Sequence, residues 1–431
     1  MVSRMQEGIY YRTKPTIGNS FCIISLRAEN PSKISEIGYT IESVWNRLKK
    51  LKEGITADLD IDKKHRKIGN LTTLIAYGSH LFELSGSKRV RPSSFTERWN
   101  FKNPHPQGGG ELLDGTGLCY SKKVVDNHLL RDHILIQFIA DKEFYTNRAA
   151  VEVWKELYRQ GKGNPSQLRI TGLYQGFQRD DKRNWLGFHD GVSNLKMHER
   201  PHVILINSRN LGSQDKWTTY GTYLAFIRIS INMEMWETTT MKQQEKIIGR
   251  DKLTGCPLIK LDINGNPVKD SRCPVPGTTE IIDRGNEFFR DHPTYGITND
   301  SKVLQHSHIG STRPIDQIPL WDKKSLRIYR QGFEFLIPSI DTPNFVAGLN
   351  FVSFQNTPER LFRTLTYQHA ISQHYQKGTL LAPIPKLDQF TSVLVAGIFF
   401  VPPIVQNEPF PGSQIFFNAS EMRHLPNYKI R

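Results

Sequence analysis

Apolar periodicity changes along this 431-residue chain in a similar order twice, and that recurrence restricts the fold more than any single motif does. In the first half, Phe21-Cys22-Ile23-Ile24-Ser25-Leu26 reads as a strand. After Pro31-Ser32, with Ser32 as N-cap, apolar residues recur at Ile34, Ile37, Ile41, Val44, Trp45 and Leu48, the helical period. Residues 71–77 read as a strand, 78–129 as a loop around Gly108-Gly109-Gly110, and 133–139 as an alternating strand. A helix over 142–158 takes Phe144, Val151, Trp154 and Tyr158 as its apolar residues, and 168–177 reads as extended. The second half offers a strand at 223–231, a helix at 236–248, a long Gly/Pro/Asp-rich loop over 249–316 and a strand at 346–354. A helix starts at Thr357-Pro358-Glu359, where a capping residue precedes proline at the first helical position, and a strand at 392–401 closes the series.

Strand, helix, strand, strand, helix, strand in the first half, with a similar order one strand shorter recurring in the second, predicts an α+β fold. Its parts are two ferredoxin-like halves, antiparallel sheets with peripheral helices, in the manner of a dimeric α+β barrel. The expected halves are residues 1–210 and 211–431, divided in a polar segment that contains Pro201, Asn207, Ser208 and Gly212. A chain of this length buries a sizeable core.

Composition narrows the function. No apolar run approaches the roughly 20 residues of a membrane span, and Met1-Val2-Ser3-Arg4-Met5-Gln6 lacks the pattern of a secretory signal, so a cytoplasmic protein is expected. Four cysteines (Cys22, Cys119, Cys256, Cys273) have neither the density of a disulfide scaffold nor Cys-x-x-Cys spacing, which argues against structural zinc. The formal charge of +15 invites a nucleic-acid reading. Basic residues are scattered, however, and the densest cluster, Arg47, Lys49, Lys50 and Lys52 with Lys63, Lys64 and Arg66, sits at one helix end and its loop. A solvated face is the better reading, with the surplus able to draw in anionic substrates.

Three motifs carry chemistry. Gly187-Phe188-His189-Asp190-Gly191 clamps a carboxylate between glycines; alone, its Asp-Gly reads as a turn. His308-Ile309-Gly310-Ser311-Thr312-Arg313-Pro314 offers a histidine, and His306 would share its face in an extended segment. Leu326-Arg327-Ile328-Tyr329-Arg330-Gln331-Gly332 offers two arginines. Together with Met5-Gln6-Glu7-Gly8-Ile9-Tyr10, Gly221 to Arg228, Ile248-Gly249-Arg250 and Gly348 to Gln355, these resemble, in order and over nearly the whole chain, the signature of the dye-decolorising peroxidases.

That resemblance implies haem b, held without thioether attachment since no Cys-x-x-Cys-His is present. It implies His308 as the axial ligand of the iron, Asp190 as the distal acid-base and Arg330, rather than Arg327, as the distal cation. Gly187, Phe188, His189 and Gly191 would lie against the macrocycle, where missing side chains let the backbone approach. Leu349 and Phe351, with Phe333 and Phe335, would form an apolar wall, and Arg313 would meet a propionate. Thr357 stands where many members carry an acid that orients the axial histidine. The implied reaction reduces hydrogen peroxide through a ferryl haem and oxidises an anionic dye or phenolic reductant, with an acidic optimum and without nucleic-acid or membrane partners. A homo-oligomer is left open. A haem- or iron-handling protein on the same fold is the near alternative, and a non-catalytic basic nucleic-acid module the distant one.

Overall fold

A computed structural model describes residues 4–9, 18–29, 34–56, 69–96, 101, 128–161, 167–179, 181, 183–190, 194–195, 198–269, 307–309, 327–341, 343–362, 364–365 and 387–425. The first half runs β1 (Ser20–Ala28), α1 (Ile34–Lys52), β2 (Thr72–Tyr77), β3 (Ile134–Ala140), α2 (Glu143–Gln160) and β4 (Leu168–Phe177). After the short α3 (Arg200–Ile204) come β5 (Thr222–Ile231), α4 (Met233–Glu237), α5 (Met241–Ile248) and a hairpin of β6 (Leu258–Leu261) and β7 (Pro267–Lys269). The chain continues through β8 (Tyr329–Pro338), β9 (Phe345–Gln355) and β10 (Thr391–Val401).

Eight strands close into one antiparallel barrel in the order β1-β3-β2-β10-β5-β9-β8-β4. Within it, the first four strands lie as β4-β1-β3-β2 and the second set as β10-β5-β9-β8, the same 4-1-3-2 arrangement. The recurrence in the sequence is thus a recurrence of topology. The halves join edge to edge where β2 meets β10 at Tyr77 and Phe400, and where β4 meets β8 at Phe177 and Glu334. Closure leaves neither half with an exposed sheet edge at these seams.

Both faces of the barrel wall are buried over much of its circumference, which explains why β1 reads as an unbroken apolar run instead of alternating. Inside are Phe21, Ile23, Leu74, Leu135, Phe226, Phe333, Phe354 and Phe399. Phe21 of β1 stacks on Phe333 of β8 with ring centres 4.4 Å apart, so the two halves share one interior. Outside, Cys22, Ile24, Ile136 and Phe138 pack against Ile37, Ile41 and Leu48 of α1 and Val153 and Leu157 of α2.

Three expectations change. α2 forms where the periodicity places it but presents a different face: Thr146, Ala149, Val153 and Leu157 are buried, while Phe144, Val151, Trp154 and Tyr158 are 50–57% exposed. The single helix expected over 236–248 is two, because Thr240 caps a fresh helix through a reciprocal bond with Gln243. β8 gives no periodic signal in the sequence, because its Tyr329-Arg330-Gln331-Gly332-Phe333-Glu334 carries polar groups on both faces. Ser32 lies outside the described residues. Among the described residues no helix is long and apolar enough to cross a membrane.

Candidate active site

Alternation on β8 sends Tyr329 and Phe333 into the barrel, and therefore turns Arg330, Gly332 and Glu334 outward. On β9 the residues paired with them are Ser353, Phe351 and Leu349, so Leu349 and Phe351, both half-buried, share this outer face with Arg330. Phe333 and Phe335 do not belong to that wall. Phe333 is in the interior stack, and Phe335 lies under the guanidinium of Arg228 at 3.6 Å. The one-residue step along a strand reverses the face, which is why proximity in sequence misplaced them.

Gly332 is a seat for the Asp190 carboxylate. A β-carbon at Gly332 would fall where Asp190 Oδ2 lies, and Leu349 Cδ1 would be 3.3 Å away. Two residues along the same face stands Arg330, whose guanidinium loses proton affinity through burial and regains some through the charge of Asp190. Asn194 fixes the approach: its Nδ2 donates to the Arg330 carbonyl at 2.6 Å, and the Arg330 N–H donates to Asn194 Oδ1 at 3.2 Å. The loop that follows β4 is thereby fastened to β8 beyond Asp190.

The rest of that loop is held from behind. Arg183 donates to the carbonyls of Gly187 (2.6 Å), Lys252 (2.7 Å) and Leu253 (2.8 Å), tying the motif to the segment after α5. Gly187 has φ +85°, a left-handed conformation, and the Lys252 side chain fills the space where its β-carbon would be. Phe188 is buried in a small cluster with Leu186, Trp236 and Ile248. His189 is half-buried, faces Gly255, and loses proton affinity first through burial and next through Arg183. For Gly187, Phe188 and His189, packing within the loop and on α4 and α5 accounts for the residue; Asp190 is the motif residue that reaches Gly332.

His308 comes to the same region from α5. The helix ends at Gly249 in a left-handed cap (φ +87°), and a β-carbon there would strike Ser307 Oγ and stand 2.7 Å from Ile309 Cγ1. Ser307 and Ile309 are buried against this cap, and His308, between them in sequence, is half-buried. Desolvation, then the charges of Arg330 and Arg250, push its imidazole down to about 4. At neutral pH the ring is uncharged and has a lone pair to give a metal. Arg250, buried and donating to the Gly255 carbonyl at 2.8 Å, is pushed down to about 9 by burial and by Arg330. Arg327, half-buried, is likewise lowered by burial, while Glu199 supports its charge.

Arg330 is thus within electrostatic reach of Asp190, His308, Arg250 and Arg327. A neutral imidazole, a carboxylate beside an arginine, further cations and an apolar wall converge on the outer face of β8 and β9. Those are the donors that an iron porphyrin with two carboxylate arms requires: one nitrogen ligand, cations for the arms and a non-polar surface for the ring. Gly191, His306 and Arg313 lie outside the described residues. Gly332, Gly249 and Asn194 were not assigned roles from sequence, and the readable signal for the first was its position two residues from Arg330 on an alternating strand. Cys256 is disulfide-bonded, its partner lying outside the described residues, a bond that cysteine spacing did not foreshadow.

The family model described as Dyp-type peroxidase, C-terminal, matches residues 181–406, a span that holds Asp190, His308 and Arg330. A deferrochelatase of Yersinia pestis bv. Antiqua (strain Nepal516) is 24% identical over 314 residues, covering 69% of this chain and 58% of its own length. The chain therefore spans less than two thirds of that curated relative. Among solved structures, a DyP-type peroxidase from Streptomyces coelicolor superposes with a TM-score of 0.64 at 20% identity, covering 96% of each chain. A DyP-type peroxidase from Cellulomonas bogoriensis gives 0.63 at 18% identity, covering 96% of this chain and 97% of the other. At such identities these likenesses concern the fold.

Proposed function

Because the chain belongs to the Dyp-type peroxidase family, we propose that it is a haem b peroxidase that reduces hydrogen peroxide and draws electrons from an anionic dye or phenolic compound. The observation that carries this reading is the seat of Asp190 on Gly332, two residues from Arg330 on one face of one strand. Haem, when bound, supplies the iron that takes peroxide and holds its two oxidising equivalents. Asp190 would accept a proton from one oxygen of peroxide and deliver it to the other. Arg330, whose charge Asp190 supports, would stabilise the negative charge that gathers on the departing oxygen. His308 would supply the nitrogen that holds the iron, and its burial favours the unprotonated ring. Leu349 and Phe351 exclude water from the ring face.

Arg313, Gly187, Phe188, His189 and Gly191 remain proposed haem contacts on the resemblance alone. The division into halves at residue 210 is part of the same reading, supported by the matching strand order. A cytoplasmic location also stays a proposal.

Substitution separates the roles. Asp190→Asn and Arg330→Leu should each retain haem while slowing the peroxide-driven change in its spectrum by about 10²–10⁴-fold, followed by stopped-flow absorbance. Unchanged rates would refute the assignment. Curated relatives carry the name deferrochelatase, so handling of haem iron is the second reading. Sustained turnover with an intact Soret band supports the peroxidase; stoichiometric loss of iron from the ring without turnover supports the other. The nucleic-acid module finds no support in the family membership.

A further inference from the structure

Glu334 follows Arg330 and Gly332 on the outward face of β8, and it is buried, 4% exposed. Its Oε2 accepts the Trp185 N–H at 2.8 Å. Its Oε1 is buried with no hydrogen-bond partner among the described residues. The neighbours paired with it across the sheet, Leu349 on β9 and Phe177 on β4, are apolar. The cation it senses, Arg179, is already bound to Asp181 at 2.6 Å and lies over the Trp185 ring. A carboxylate in this position would leave half its charge unsolvated, next to a second carboxylate seated on the adjacent Gly332. A like charge so close makes ionisation of the enclosed Glu334 costlier still.

We propose that Glu334 is a positioning residue of the distal site: a neutral carboxylic acid behind Asp190 that leaves the aspartate as the charged member of the pair. This rests on the peroxidase reading for its purpose, though the state of Glu334 does not. Asp190 is exposed and lies beside Arg330. Glu334, enclosed and without a cation of its own, keeps the proton on the otherwise unpartnered Oε1. The pair then enters each cycle with one proton and one vacant carboxylate, the form that can take a proton from peroxide. Burial first, the charge of Asp190 second, push the Glu334 carboxyl up to about 8; the Trp185 N–H and Arg179 act in the opposite sense, and Asp181 adds to the rise.

The linkage has a definite sign. An unfolded glutamate releases its proton near 4.5, whereas the folded one holds it to about 8. Between those values deprotonation favours the unfolded chain, so Glu334 makes stability fall as pH rises, by up to about tenfold in the folding constant per pH unit. The test is an infrared titration of the full chain, with denaturant unfolding across the same pH range, for wild type and Glu334→Gln. Wild type should show at neutral pH a protonated-acid carbonyl band that fades near pH 8, and the glutamine variant should lack that band and the added pH slope. With haem and peroxide, the rate profile of wild type should break near pH 8 and that of the variant should not. A wild-type spectrum without the band at neutral pH overturns the proposal even if the variant does not fold. A band and stability slope that survive in Glu334→Gln overturn it too, as does an identical rate profile; a merely structural glutamate would shift stability equally at every pH. Failure to bind haem, with band and slope as expected, would instead count against the peroxidase reading.

Discussion

Gly332 holds no side chain so that Asp190 can rest on the strand that carries Arg330. Gly332→Ala should push the carboxylate away while leaving β8 intact, because the strand conformation suits alanine. The expected result is full haem content with a peroxide reaction slower by about tenfold or more, since small misplacements of an acid-base group are costly; a rate equal to wild type would show that the seat is immaterial. At this scale the sequence was partly readable. Asp190, Arg330 and His308 stand out because each is a chemically distinctive residue inside a recognisable motif, and the structure brings all three into electrostatic contact. Phe333 and Phe335 were misjudged because choosing a face requires knowing that 329–338 is a strand and which side faces the barrel. Glu334 was unreadable for another reason: its chemistry comes from missing partners, and absence of partners is a property of three dimensions.

Elements show the same division between local and tertiary information. β1, β2, β3, β4, β5, β9 and β10 lie within a few residues of where apolar runs put them, because short runs bounded by turn residues determine strands locally. α2 was located but rotated, since its aromatic residues give a helical stripe of their own that competes with the alanine, valine and leucine face the barrel selects. The cap of α5 is the element-scale feature with most bearing on function. Gly249 combines a left-handed backbone with direct contact to Ser307 and Ile309, so a side chain there disturbs both the helix end and the seating of His308. Gly249→Ala should cost about 1–2 kcal/mol from backbone strain alone, measured by denaturant unfolding, and should weaken haem affinity in addition. A variant with lower stability but wild-type haem affinity would show that the cap does not position His308.

For the molecule as a whole, barrel closure is what assembles the site. Asp190 and Asn194 follow β4 in the first half, Arg330, Gly332 and Glu334 belong to β8 in the second, and these two strands meet at the seam between halves. Element order made the two halves visible in the sequence; it could not show that they fuse edge to edge, because strand pairing between halves leaves no local periodic trace. We propose that the residues gathered at this seam hold one haem through His308. This claim is tested most directly by titrating the full chain and its His308→Ala variant with haemin and recording the absorption spectrum. Wild type should develop a saturable Soret band at one equivalent and His308→Ala should not; no band with wild type, or the same band with both, would contradict the claim.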